Sequence, residues 1–155
     1  ETSTADFMKD ESAKDIVSGG TSATILSREL GRPLRVSMDY SDPDIPPIAF
    51  MEGIDLVTEG VLTLRKAIEL LKRYLIECDL SSEFFSELDK KNGASMIAKI
   101  LIEDCTELHM FVGTAANSAY QNPGLAFDLG IRQNLVKQLK EAVEGMGKKV
   151  TVTYY

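Results

Sequence analysis

A strand, a pair of glycines and a helix follow one another near the start of the chain, and this order constrains the fold more than any other feature. Residues 15–18 have the apolar character of a short strand, and Gly19-Gly20 interrupts it. Apolar residues then recur at helical spacing up to Gly31, and glycine is the residue most often found directly after a helix. Residues 34–38 alternate as in a second strand. A strand, a helix and a strand in this order are typical of a parallel sheet.

The remaining pattern extends the same architecture. In chain order it predicts strands at 48–51 and 54–57, helices at 58–76 and 94–103, a strand at 107–112, a helix at 129–146 capped by Asp128, and a strand at 149–155. We therefore expect a single, three-layer-like α/β domain with a mostly parallel sheet, flanking helices and an antiparallel edge. The domain covers 15–155 after a linker or N-terminal extension at 1–14, and the polar segment 77–93 is the candidate hinge.

Charge and composition exclude several classes of function. The chain has 155 residues, 24 acidic against 17 basic, and a net charge of −7, so a basic nucleic-acid-binding face is not expected. No apolar run is long enough to span a membrane. Cys78 and Cys105 lack metal-ligand spacing and indicate buried thiols in a reducing, cytoplasmic setting. The chain starts without Met, so we expect it to be a piece of a longer protein.

The first glycine turn, Ser18-Gly19-Gly20-Thr21-Ser22, is the strongest candidate binding site. Its glycines permit a tight turn that exposes amide groups, and the start of the following helix adds a partial positive charge. The hydroxyls of Thr21 and Ser22 can donate further hydrogen bonds. The alternative is an ordinary strand-to-helix turn in which Thr21 or Ser22 caps the helix.

A second turn repeats the pattern after the strand at 107–112. It runs Gly113-Thr114-Ala115-Ala116-Asn117, and it forms one anion site with the first turn if the two strands are neighbours. Two unrelated turns are the alternative. The polar loop that continues to Pro123 can be a binding loop, a mobile lid or plain surface.

Carboxylates provide the other candidate chemistry. Glu52, Asp55 and Glu59 fall within eight residues, and in a strand Asp55 and Glu59 share a face. Such a pair can hold a divalent metal, act as acid and base, or bind ribose hydroxyls. Thr58 and Glu59 can instead cap the helix that follows.

Two weaker features are also candidate functional sites. Asp39, Asp42 and Asp44 can bind Ca²⁺ or Mg²⁺, although Asp-Pro turns produce such clusters without a metal. The lone His109 can be a general base, but a structural role is the more common one.

Several strings resemble the C-terminal domain of bacterial SpoIIE-type serine phosphatases. They are Ser18-Gly19-Gly20-Thr21, Ser27-Arg28-Glu29-Leu30-Gly31-Arg32, Asp42-Pro43-Asp44-Ile45-Pro46-Pro47, the run from Glu52 to Gly60, Asn122-Pro123 and the run from Gly147 to Val152. The resemblance implies a parent enzyme in which aspartates of Asp-Gly and Gly-Asp motifs hold Mn²⁺ or Mg²⁺. This chain contains neither dipeptide, so no catalytic residue and no cofactor is assigned to it.

Three hypotheses follow. The first is a regulatory, ligand-sensing accessory domain whose partners are an upstream phosphatase domain and a small anionic ligand, phosphate-like or nucleotide-like. Its expected contacts are Gly19, Gly20, Thr21, Ser22, Glu52, Asp55, Thr58, Glu59, Gly113, Thr114 and Asn117. The second is an independent small enzyme that uses Glu52, Asp55 or Glu59. The third is a homodimerisation module without a ligand.

Overall fold

The computed structural model describes residues 13–37, 43–76, 81–112 and 124–154. In these ranges the strands are β1 (Ile16–Ser18), β2 (Arg35–Val36), β3 (Ala49–Phe50), β4 (Leu56–Thr58), β5 (Glu107–Val112) and β6 (Lys149–Tyr154). The helices are α1 (Gly20–Leu30), α2 (Val61–Ile76), α3 (Ser82–Leu88), α4 (Gly93–Lys99) and α5 (Gly124–Gly145), and a π-helical segment (Ile100–Asp104) continues α4. No helix in the described part of the chain has the length and apolarity needed to cross a membrane.

The described strands form two sheets. The first has the order β1-β4-β3-β2, in which β1 and β4 are parallel and the other pairs are antiparallel. The second is the parallel pair of β5 and β6, in register from Glu107 opposite Lys149 to Val112 opposite Tyr154. The α/β class, the parallel pairs and the antiparallel edge are confirmed. The strands are divided between two sheets instead of one, because β1 makes its ladder with β4.

The layers follow from the alternation of side chains along β1 and β4. Ile16 and Leu56 pack into the main core with α2, α3, α4 and α5, whereas Val17 and Val57 pack with Ala23 of α1 on the other face. The first sheet therefore has α1 on one face and the remaining helices on the other, the predicted three-layer arrangement. Leu108, Met110 and Val150 of the second sheet pack against the same main core.

Two predicted helix caps are wrong. Gly19, with φ 118°, is the N-cap of α1 and makes no side-chain cap, so the helix begins before Thr21 and Ser22. The glycine pair permits this earlier start because glycine adopts positive φ without steric cost. Helix α5 begins at Gly124, which places Asp128 inside it.

The segment at 77–93 contains a helix that the hinge hypothesis did not anticipate. The hydroxyl of Ser81 accepts a hydrogen bond from the amide of Phe84 at 3.3 Å and caps α3. Phe84 and Leu88 of this helix are fully buried in the main core. Phe84 and Leu88 are four positions apart and therefore share one helix face. The polar residues between and around them make this apolar spacing hard to recognise in the sequence.

The helical spacing of Leu62, Ala67, Ile68, Leu71 and Leu75 predicts that these residues share one buried face of α2, and this is only partly correct. Ala67, Ile68 and Leu71 are buried together with Thr63 and Leu70, but Leu62 and Leu75 are exposed. Leu62 lies beside the buried stripe, whereas Leu75 lies in the last turn of the helix.

Candidate functional site

Two turns that connect a strand to a helix lie side by side where β1 and β4 end. Ser18 is in register with Thr58, and the amide of Gly19 donates to the carbonyl oxygen of Thr58 at 2.9 Å. A β-carbon built on Gly60 would lie 3.5 Å from the α-carbon of Gly19, so the two turns are in contact. Helices α1 and α2 both begin here. The carboxyl ends of parallel strands are the usual ligand-binding edge of α/β sheets.

The amino end of α2 is closed by Glu59. One carboxylate oxygen accepts from the amide of Val61 at 3.1 Å, and the other accepts from the amide and the hydroxyl of Thr63 at 3.4 and 3.5 Å. The negative charge lies against the positive end of the helix dipole, where it is stabilising. Glu59 therefore serves as a helix cap, one of the roles weighed from the sequence.

The amino end of α1 is open. Its N-cap residue Gly19 supplies no side-chain acceptor, and its first turn contains no acidic residue. The first amides of a helix have no partner within the helix, so they remain available to an external acceptor. Ser22 is exposed on this first turn, and its hydroxyl oxygen is 3.9 Å from a β-carbon built on Gly19. The edge thus presents one open and one closed helix end in contact with each other.

Thr58, the last residue of β4, is buried beneath these two turns. Its side chain is 3% exposed, and its hydroxyl is the one buried side-chain polar atom without a hydrogen-bond partner among the described residues. The start of α4 lies against it, because a β-carbon on Gly93 would be 2.9 Å from the γ-methyl of Thr58.

The contact of α4 with this edge was not predicted from the sequence. Asn92 caps α4 by accepting from the amide of Ser95 at 2.8 Å. The helix predicted at 94–103 begins at Gly93, and an Asn directly before an apolar helical pattern is itself a helix-start signal. Neither signal indicates that this helix packs against the end of β4.

The three predicted carboxylates do not meet. The carboxylate of Asp55 accepts from the amide of Asp15 at 2.7 Å, where β1 and β4 begin. Glu52 is exposed and follows β3, which runs antiparallel to β4, so it lies toward this same opposite edge. Its carbonyl oxygen accepts from the guanidinium of Arg32 at 2.8 Å.

The prediction that Asp55 and Glu59 share a strand face is therefore wrong. Strand β4 covers only Leu56–Thr58, so Asp55 precedes it and Glu59 follows it. An extended chain places residues four apart at a separation of about 13 Å. No group of three or more His, Cys, Asp or Glu side chains suited to a metal occurs in the described part of the chain.

An exposed ion pair joins the segments that enter β1 and β5. The ammonium of Lys14 is 2.8 Å from a carboxylate oxygen of Asp104. The hydrogen bond from Lys14 and its charge lower the pKa of the Asp104 carboxyl, and the same bond raises the pKa of Lys14. This ion pair links the segment before β1 to the segment before β5, although these two strands form no ladder with each other in the described residues.

The second glycine turn cannot be compared with the first. Gly113, Thr114 and Asn117 lie outside the described residues, as do Asp39 and Asp42 of the aspartate loop. In the described ranges β1 pairs with β4 and β5 pairs with β6, so the two turns do not follow hydrogen-bonded neighbours. The shared site remains a prediction.

Three of the remaining candidates lie in the described part of the chain, Asp44, Cys105 and His109. Asp44 is exposed, and the imidazole Nε2 of His109 is 3.2 Å from the Glu107 carboxylate on β5. Cys105 is half-buried, and burial raises the pKa of its thiol. Cys78 lies outside the described residues.

No protein-family model matches the sequence, and no curated protein and no solved structure is significantly similar to it. The chemistry of the site therefore rests on its own residues. The hydroxyl of Ser18 already donates to the carbonyl oxygen of Glu59 at 3.2 Å, and the carboxylate of Glu59 already accepts hydrogen bonds. The edge offers the backbone amides at the start of α1 and the exposed hydroxyl of Ser22. These groups suit the binding of an acceptor-rich ligand.

Proposed function

We propose that this chain is a regulatory, ligand-sensing domain that binds a small anionic ligand, phosphate-like or nucleotide-like, at the amino end of α1. The observation that carries the proposal is the open end of α1, held against the closed end of α2 by the contact between Gly19 and Gly60. Because Glu59 already fills the end of α2, an external anion is directed to α1.

The neighbouring charge of Glu59 has a consequence for the ligand. Its carboxylate repels a second anion at short range, so the site favours a ligand that adds contacts beyond one charged group. The exposed hydroxyl of Ser22 is positioned for such a contact. A phosphate ester has several acceptor oxygens for the amides and hydroxyls of this turn, which is the reason for preferring it to a simple carboxylate.

The proposed setting is a SpoIIE-type serine phosphatase, in which the chain is an accessory domain in the cytoplasm. The resemblance of the glycine-turn and Glu52-to-Gly60 strings supports it, and so does the lack of the Asp-Gly and Gly-Asp dipeptides that would make the chain itself the metal-dependent catalyst. The upstream phosphatase domain is the proposed partner.

Titration with inorganic phosphate, pyrophosphate and ATP tests the site. The informative variant is Ser22→Asp, which places a carboxylate in the first turn of α1. That carboxylate occupies the positive end of the helix and repels the ligand, so we expect phosphate affinity to fall about tenfold. Ser22→Asn is the matched control because it has the same shape without the charge.

Calorimetry and amide chemical shifts give the two measurements. Binding should shift the amides of the first turn of α1, and Ser22→Asn should retain it. If Ser22→Asp and Ser22→Asn bind phosphate equally well, the amino end of α1 is not the site. Hydrolysis of pyrophosphate or ATP by the isolated chain would instead favour the independent enzyme.

A further inference from the structure

A groove runs between α5 and β6. Its apolar surface is formed by Val136 of α5 with Val152 and Tyr154 of β6, and its volume is about 650 Å³. Gln133, Val136, Lys137 and Lys140 occur at the i, i+3, i+4 and i+7 positions of α5 and form its helical wall. We refer to it as the α5–β6 groove.

Strand β6 leaves a backbone edge beside this groove. It has six residues, Lys149–Tyr154, and in the described part of the chain it pairs only with β5. The strand contains no proline and has no bulge in its ladder with β5, and its one charged residue is Lys149, the first of the six. Proteins usually protect long edge strands with prolines, bulges or charged residues, so the part of β6 that follows Lys149 is an unprotected edge, which offers amide and carbonyl groups to another chain.

The charge of the groove is opposite to that of the whole chain. The chain has a net charge of −7, yet the groove is lined by Lys137 and Lys140 and contains no acidic side chain. Lys137 has no ion pair among the described residues, and Lys140 is 3.7 Å from Glu144 one turn further along α5. Lys149, which begins β6, is 75% exposed, and its ammonium is 3.5 Å from the Glu107 carboxylate on β5. A positive, partly apolar surface therefore lies beside an open strand edge.

We propose that the α5–β6 groove binds an extended acidic segment of a partner protein, which adds to β6 as a further strand. Backbone hydrogen bonds to β6 hold such a segment in place, and alternate side chains point to one face. Apolar side chains would contact Val136, Val152 and Tyr154, while Asp or Glu side chains would pair with Lys137 and Lys140. All of these groups lie on the α5 side of β6, so the segment carries its acidic and apolar residues at every second position, on the face toward α5.

A second copy of the chain is the less suitable occupant. Pairing of β6 with β6 of another copy would bring Lys137, Lys140 and Lys149 of both copies to one interface, where like charges repel. An acidic segment reverses the sign of that interaction.

The probe for this proposal is a fluorescein-labelled peptide of about eight residues, long enough to cover β6, in which Thr alternates with either Glu or Val, so that Glu and Val share one face. Two peptide controls separate the contributions. One replaces each Glu by Lys, and the other carries N-methyl groups on alternate backbone amides, which removes strand pairing without altering the protein. We expect both controls to bind at least about tenfold more weakly than the probe.

The protein variant is the double charge reversal Lys137→Glu with Lys140→Glu. Its matched control is Lys90→Glu with Lys91→Glu, which makes the same change in net charge at two exposed positions outside the groove. We expect the first to weaken binding of the acidic peptide about tenfold or more and the second to have much less effect. Hydrogen exchange of the β6 amides should slow when the peptide binds.

Each outcome decides the proposal. Stronger binding of the acidic peptide, loss on N-methylation and protection of β6 support it. Equal binding of the acidic and basic peptides, equal loss in both double variants, or no binding overturns it. A homodimer that excludes the peptide and protects β6 overturns it as well, because the edge would then belong to a second copy.

Discussion

Gly93 lies so close to Thr58 that the start of α4 and the end of β4 leave no room for a further carbon atom between them. A β-carbon at Gly93 would be 2.9 Å from the γ-methyl of Thr58 and 3.1 Å from that of Thr63. Both threonines are buried, so neither methyl group can move into solvent. This contact fixes a third helix start against the carboxyl end of β4.

Substitution of this glycine should therefore destabilise the fold. We expect Gly93→Ala to lower the free energy of unfolding by about 1–3 kcal/mol, the usual cost of an added carbon in a packed core. Chemical denaturation followed by circular dichroism measures the change.

Gly130→Ala is the control for that experiment. Gly130 is in α5, and a β-carbon there meets nothing within 4 Å. Alanine should stabilise this helix by about 0.5–1 kcal/mol because it favours the helical backbone. Destabilisation of equal size in both variants would show that crowding at Thr58 is not the cause.

Replacement of the capping carboxylate should have opposite effects on stability and on binding. Glu59→Gln removes the charge from the amino end of α2, and we expect a loss of about 0.5–1 kcal/mol in unfolding free energy. It also removes the charge that repels a ligand at the adjacent end of α1, so phosphate should bind more tightly. Thermal denaturation and calorimetry measure the two effects.

Glu69→Gln is the comparison for this variant. Glu69 is exposed and pairs with Lys66 on the surface of α2 at 3.3 Å, so its loss should change stability by less than about 0.5 kcal/mol. Weaker phosphate binding in Glu59→Gln would contradict the proposed placement of the anion.

The buried hydroxyl of Thr58 has no hydrogen-bond partner among the described residues. Its replacement by an apolar group should therefore raise the free energy of unfolding. Thr58→Val retains the shape of the side chain and removes a buried group without a hydrogen-bond partner, so we expect stabilisation of about 1 kcal/mol. Thr63→Val should instead destabilise, because the hydroxyl of Thr63 donates to Glu59. Urea denaturation of the pair distinguishes the two, and a destabilised Thr58→Val would mean that the hydroxyl has a partner in solution.

Two adjacent phenylalanines of α3 should differ strongly. Phe84 is fully buried, stacks on Tyr74 at a centroid distance of 6.4 Å and lies beneath the guanidinium of Arg73. Phe84→Ala should cost about 3–5 kcal/mol. Phe85 is 46% exposed, so Phe85→Ala should cost about 1 kcal/mol or less. Similar losses in equilibrium denaturation would contradict the packing of α3.

The exposed ion pair at the opposite edge makes a prediction about pH. Because Lys14 lowers the pKa of Asp104, this carboxyl should titrate below the ordinary value of 3.8. The contribution of the pair is present above that value and is lost as the pH falls through the lowered pKa. Lys14 has a raised pKa, so at high pH the contribution is lost only above 10.5.

Carboxyl NMR titration tests this pair directly. Lys14→Ala should return the pKa of Asp104 toward its ordinary value, and Lys14→Arg should keep it low. An Asp104 pKa that is the same in all three proteins would show that the pair does not form in solution.

The features predicted correctly are those that depend on near neighbours in the chain. Strand β5 was predicted at its observed bounds, 107–112, because its β-branched and aromatic residues are enclosed by breaks. Gly31 has φ 64° at the end of α1, as a glycine in that position predicts. Helix α1 and the apolar spacing within α5 are recognisable for the same reason.

The features that were missed depend on contacts between distant segments. Nothing local indicates that β1 pairs with β4, about 40 residues away, because three-residue strands carry too little pattern to select a partner. The separation of Asp55 from Glu59 follows from that pairing and from the shortness of β4. Glu59 caps the amino end of α2, whereas α1 has no side-chain cap. The glycine pattern of the two turns does not predict this difference between the helix ends.

Helix α1 packs against a core of its own. Among the described residues this smaller core has three buried side chains, Ala23, Met51 and Val57, whereas sixteen form the core on the other face. The helix with the open amino end thus packs on the smaller of the two cores, and elements with few buried apolar contacts detach at low free energy. A ligand that binds only when α1 is docked would lower the free energy of the docked state and so increase its population. Binding of the anion and docking of α1 would then be coupled in one equilibrium. The fraction of molecules in which α1 is docked on the sheet would rise with the ligand concentration.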